Sequence, residues 1–145
     1  MDYSINNTLE YILFLTRHIQ KGNTRAAALA LLMDLGFPEW ADGFGYLIMA
    51  VVFKAGDLNM RVGDVYRKVV DCLDEGINIQ LVEQGIRSLI SEAWKYRDMG
   101  KWILIFPPDR REKQGKPTNG KVIAKFGCLL DLWTNCSEEA SYARI

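Results

Sequence analysis

The chain has 145 residues and a mass of 16.5 kDa, which suits one domain and is short for two. Its hydrophobic share of 49%, with 25% charged residues, is that of a folded globular protein and argues against long disorder. Eighteen Lys and Arg balance eighteen Asp and Glu, so the chain as a whole is no general polyanion binder and any nucleic-acid surface has to be local.

Further classes fall away on residue type. The apolar runs, such as Leu47 to Phe53, are broken by charge well before the roughly 20 apolar residues a bilayer span needs. The start, Met1-Asp2-Tyr3-Ser4, lacks the basic stretch and small-residue cleavage site of a secretory signal, so the expectation is a cytoplasmic protein without a membrane partner. Cys72, Cys128 and Cys136 are odd in number and widely spaced, and His18 is the only histidine. That pattern fits reduced thiols and leaves no ligand set for zinc and no His base for a Ser or Cys nucleophile. Neither a metal, a cofactor nor an enzymatic activity is expected.

The apolar periodicity reads as helix after helix, with no period-two strand and no repeat. Leu9, Ile12, Leu13, Thr16 and Ile19 predict a first helix over 8–20, with Asn7 and Glu10 as a capping box. A second begins at Thr24 behind the cap residue Asn23 and stops at Gly36 before Pro38. The third, Asp42 to Lys54, is apolar on most sides and is expected at the centre. The fourth, Gly63 to Leu73, carries Val65, Val69 and Leu73 at four-residue spacing.

After the glycine-containing turn Asp74 to Asn78 comes the most regular helix, Ile79 to Arg97. Val82, Ile86, Leu89, Ile90, Ala93 and Trp94 lie on one face, and Gln80, Glu83, Gln84, Arg87 and Ser91 on the other. Two helices joined by such a turn, the second with a polar face, form a helix-turn-helix candidate. Residues 100–119 are less regular: Trp102 to Phe106 fits a short strand or a packed turn of helix equally. A last helix is expected from about Gly120 to Trp133, followed by a polar tail that frays from Thr134.

Gly36-Phe37-Pro38, Gly45-Tyr46-Leu47, Val65-Tyr66, Val82-Glu83 with Ile86-Arg87, Ala93-Trp94, and Lys116-Pro117-Thr118-Asn119 occur in an order and spacing that resembles the C-terminal effector domain of the sporulation regulator family, stage zero sporulation protein A. The resemblance covers roughly residues 24–133. It implies an all-α, single-domain bundle of about six helices with a winged-helix-like helix-turn-helix, in which the fifth helix enters the major groove of double-stranded DNA and the last helix serves in pairing two domains. The chain then divides into an extra N-terminal helix over 1–22, the effector domain over 23–135 and a polar tail over 136–145. In the family this domain usually follows a phosphorylatable receiver, which needs about a hundred residues or more; the expectation here is a stand-alone effector domain.

On this reading the base-reading residues are Gln80, Glu83, Gln84, Arg87 and Ser88. Gln84 stands where the family carries a guanine-reading arginine, and glutamine favours adenine. The phosphate-contacting candidates are Arg110, Arg111, Lys113, Lys116, Thr118 and Asn119. They fall in a segment, Lys101 to Lys125, with seven basic residues against Asp109 and Glu112. Phe126, Leu130 and Trp133 are the candidates for a homodimer interface. Each feature also has a plainer reading. The polar face fits a solvated side with Arg87 paired to Glu83, the basic loop fits an exposed connection, and Thr118 or Asn119 fits a helix cap. The alternative function is a protein-interaction module that pairs with another transcription regulator and binds DNA weakly, in keeping with Asp71, Asp74 and Glu75 beside the reading helix.

Overall fold

The structure is a computed structural model, and it describes residues 5–107 and 115–136. Within them lie seven helices and no strand: α1 (Ile5–Leu15), α2 (Thr24–Asp34), α3 (Asp42–Gly56), α4 (Val62–Asp71), α5 (Ile79–Lys95), α6 (Met99–Ile105) and α7 (Asn119–Asn135). None of these helices is long and apolar enough to cross a membrane.

The second helix starts and stops where its sequence predicts. The Asn23 side chain accepts the Ala26 N–H at 3.2 Å. At the other end Gly36 takes φ 86°, open to glycine at no steric cost. That lets the Gly36 and Phe37 N–H groups bond the Met33 and Leu32 carbonyls at 3.1 and 3.0 Å, closing the helix in a Schellman motif. Phe37 is thereby turned into the core, where its ring stacks on Trp102 at 5.5 Å.

The third helix lies at the centre, as its all-round apolar sequence predicts. It packs against α2, α4, α5 and α7, most extensively against the last two. Two glycines make those approaches close. A Cβ on Gly43 would stand 2.1 Å from the Gly85 carbonyl oxygen of α5, so the two backbones touch. A Cβ on Gly127 of α7 would come within 2.6 Å of Lys54 Cγ. Lys54 is held in place, since its ammonium donates to the Leu58 and Met60 carbonyls at 2.8 and 2.6 Å and ties down the turn into α4.

One open alternative is settled and two expectations need correction. The undecided stretch at Trp102 is helix α6, capped by the Asp98 carboxylate, which accepts from Gly100 N and Lys101 N. The first helix begins at Ile5 and ends at Leu15, so Asn7 and Glu10 lie inside it and do not cap it. It stops because Thr16 turns its hydroxyl onto the Ile12 carbonyl at 2.7 Å and Arg17 takes the Phe14 carbonyl at 2.7 Å, side-chain bonds that compete with further helix. The last helix runs past Trp133 to Asn135, its final carbonyls satisfied by Lys21, Thr134 and Asn135; residues 137–145 lie outside the described residues.

The first helix is bound into the bundle, with Leu9, Ile12 and Thr16 buried. Thr8 donates to the Leu104 carbonyl, and Tyr11 donates to Asp34 at 2.5 Å, with Lys101 on the same carboxylate at 3.4 Å. Burial first, then the bond to Asp34 and the nearby negative charge, push the Tyr11 hydroxyl above its ordinary value of 10.0. A tyrosine whose folded pKa is raised favours the native state below its unfolded pKa. That contribution is lost progressively as pH rises above 10.

Two measurements check this packing. Gly43→Ala forces the α3–α5 contact apart and is expected to cost about 3 kcal/mol in chemical denaturation, as overpacked cores do; an unchanged midpoint would show that the backbones are not in contact. Tyr11→Phe is expected to cost about 1 kcal/mol at neutral pH and to make the loss of stability above pH 10 shallower than in the unsubstituted protein.

Candidate nucleic-acid interface

Val65, Tyr66 and Val69 anchor α4 in the core, and the chain reverses through a turn in which Gly76 takes φ 97°. The Asn78 side chain then accepts the Leu81 N–H at 2.9 Å and starts α5. Val82, Ile86, Leu89, Ile90 and Ala93 bury the inner face of α5. The opposite side leaves Gln80, Gln84, Arg87 and Ser88 exposed together, with Glu83 and Ser91 half-buried at its margin.

This face is framed on two sides. On one, Gly43 at the start of α3 sits against Gly85, and the Tyr46 ring lies about where a Gly85 Cβ would reach it, at 3.0 Å. On the other stands the N-terminus of α7. The Thr118 hydroxyl accepts the Lys121 N–H at 3.2 Å, which makes Thr118 the cap of that helix. The Asn119 amide donates to the Glu83 carbonyl at 2.9 Å and to the Tyr66 hydroxyl at 3.2 Å. One side chain thus ties α4, α5 and α7 together beside the exposed face. Burial pushes the Tyr66 hydroxyl above the usual tyrosine range, with the Asn119 bond acting against it, the Glu83 charge adding to it and Arg87 opposing it.

Glu83 and Arg87 form an exposed ion pair one turn apart, and Lys116 donates to the Ser91 hydroxyl at 2.5 Å. Tyr66, Glu83, Arg87, Lys116, Thr118 and Asn119 line one cleft of about 410 Å³. The helix-turn-helix itself is slightly acidic, because Arg61 to Lys95 holds five basic residues against six acidic ones. Among the described residues the counterweight is Arg97, Lys101, Lys116, Lys121 and Lys125, following α5 in the chain.

The structure brings Gln80, Glu83, Gln84, Arg87 and Ser88 onto one helix and sets Lys116, Thr118 and Asn119 beside them. Asn119 spends its amide on the fold instead of facing solvent. Arg110, Arg111 and Lys113 lie outside the described residues. Phe126, Leu130 and Trp133 are 0%, 0% and 1% exposed: α7 turns all three into the core against α3 and its neighbours, so they form no surface for a second copy. The sequence reading missed Tyr66 as the partner of Asn119 and Ser91 as the partner of Lys116. A tyrosine on the buried stripe of α4 was the available signal, since its hydroxyl must find a partner. Cys72 and Cys128 are exposed thiols, and no group of three or more potential metal ligands occurs among the described residues.

A bundle of helices that exposes the polar side of the second helix of a helix-turn-helix, framed by two other helices, has the architecture of a helical DNA-binding domain. The family described as sporulation initiation factor Spo0A, C terminal, matches residues 28–128; the chain belongs to that family of DNA-binding regulatory domains. Among curated proteins and among solved structures, none matches significantly. The match leaves α1, the first turn of α2 and the last part of α7 outside it, although α1 packs on α2, α6 and α7.

Removing the Asn119 amide tests its bridging role. Asn119→Ala is expected to cost about 2 kcal/mol, the range for leaving hydrogen-bond partners unmet. It is also expected to raise amide exchange in α5 more than in α2, read by native-state hydrogen exchange; equal protection in both helices would contradict the tie.

Proposed function

We propose that this domain is a sequence-specific DNA-binding transcription regulator whose α5 enters the major groove. The observation that carries this is the exposed set Gln80, Gln84, Arg87 and Ser88 on a helix whose other face is fixed in the core. Amide and guanidinium groups of that kind pair with base edges in two-point contacts. Lys116 and the capped start of α7 lie next to the same face and supply phosphate contacts that set its register. Such a protein acts in the compartment that holds the chromosome.

Two features temper affinity. Arg87 must give up or share its pair with Glu83 to reach a guanine, and the acids of the helix-turn-helix repel phosphate. These same features support the second reading, a module that works by pairing with another regulator. Pairing through Phe126, Leu130 and Trp133 forms no part of either reading, because their side chains fill the core.

Selection from a pool of random duplexes, followed by a salt titration, separates the readings. A motif is expected to emerge, with affinity falling steeply as salt rises. Arg87→Ala is expected to lose about tenfold or more in affinity for that motif while leaving non-specific binding nearly unchanged. Binding that stays non-specific even at low salt would sink the DNA reading.

A further inference from the structure

A second, larger cleft, of about 770 Å³, opens between the end of α5, α6 and the outer side of α7. It is distinct from the exposed face of α5, and meets the smaller cleft at Lys116, Pro117 and Thr118, which line both. Its size falls within the roughly 300–1,000 Å³ of small-molecule sites.

Trp94, Trp102 and Phe106 give the lining its aromatic character. Trp94 meets Trp102 edge to face at 5.9 Å, and Trp102 meets Phe106 at 5.5 Å. Trp102 is 2% exposed and gives its indole N–H to the Leu35 carbonyl at 3.0 Å, so it backs the floor from beneath, and the surface open to a ligand comes from Met99, Ile103, Trp94 and Phe106. The lining also carries Arg97, Lys116, Lys121 and Lys125, with no Asp or Glu among its described residues. Arg97 is fixed in place, its guanidinium 3.5 Å from the Trp94 ring centroid and one N–H on the Trp94 carbonyl. A guanidinium has five N–H donors, so others remain for an anion. Arg97 and Lys125 place positive charge beside this apolar floor, which attracts an anion to its edge.

We propose that this cleft binds a small amphipathic anion: a flat or extended hydrophobic body that carries one acidic group. The body lies against Met99, Ile103, Trp94 and Phe106, and the acid is met by Arg97 and Lys125. The proposal stands apart from the DNA reading. Where both hold, the shared segment from Lys116 to Thr118 connects ligand and DNA surfaces.

The test titrates the full chain with anilinonaphthalene sulfonate, an aromatic anion, and with uncharged phenylnaphthylamine, in the absence of DNA. Expected are saturable one-to-one binding of the sulfonate, a raised melting temperature, and binding of the uncharged compound weaker by about tenfold or more. Lys125→Glu removes charge, and Ala124→Trp fills the cleft from α7; each is expected to weaken sulfonate binding by about tenfold. Cys128 also lines the cleft and is exposed. In a chain with Cys72→Ser and Cys136→Ser, bound sulfonate is expected to slow alkylation of Cys128; this readout and Lys125→Glu decide the matter if Ala124→Trp does not fold. Absence of saturable binding, a lowered melting temperature, or affinity and alkylation rate indifferent to charge and to sulfonate would each overturn the proposal. Since no DNA is present, none of these outcomes bears on the reading of α5.

Discussion

The contact between Gly43 and Gly85 is the constraint around which the bundle is arranged. Helix axes usually stay 8–10 Å apart because side chains intervene; here the α3 backbone reaches the α5 carbonyl with no Cβ between them. That approach lets one central helix serve both α5 and α7, since Gly127 makes the corresponding concession on the other side. The inner faces of α5 and α7 then share a core that includes Ile86, Leu89, Phe126 and Leu130. Their outer faces are left to solvent.

Polar bonds do a different job from this packing. They cluster where helices end: Asn23, Asn78, Asp98 and Thr118 open α2, α5, α6 and α7, Arg17, Arg97 and Lys21 satisfy carbonyls near the ends of α1, α5 and α7, and Lys54 takes two in the turn after α3. Each such bond contributes about 1 kcal/mol, too little to choose a fold against burial but enough to set where an element stops. The N-terminal helix shows the same division. Its apolar side holds it on the bundle, and Thr8 and Tyr11 fix its register against α6 and α2.

Much of this was legible in the sequence, for physical reasons that also mark the limit. Apolar spacing gave five helices nearly to their ends, because the burial that creates the spacing also creates the helix. Asn23 and Gly36 were readable as cap and stop because their chemistry is local. The short α6 was not, since seven residues rich in Trp, Ile and Leu suit a buried strand as well as a helix, and its Asp98 cap is the only local distinction. Phe126, Leu130 and Trp133 were candidates for pairing two copies, but a sequence displays only that a face is apolar and not what covers it. The tie from Asn119 to Tyr66 and Glu83 joins residues far apart in the chain, and no spacing rule reaches that far.

The two-sided build of α5 has a mutational corollary. Most of what holds the helix, from Gly85 and Val82 to the carbonyl of Glu83 that receives Asn119, lies on its inner side or in its backbone. Gln80, Gln84 and Ser88 bear almost none of that burden. Single substitutions on that exposed face therefore change its chemistry at little cost to the fold, while substitutions in the scaffold beneath it are felt as lost stability.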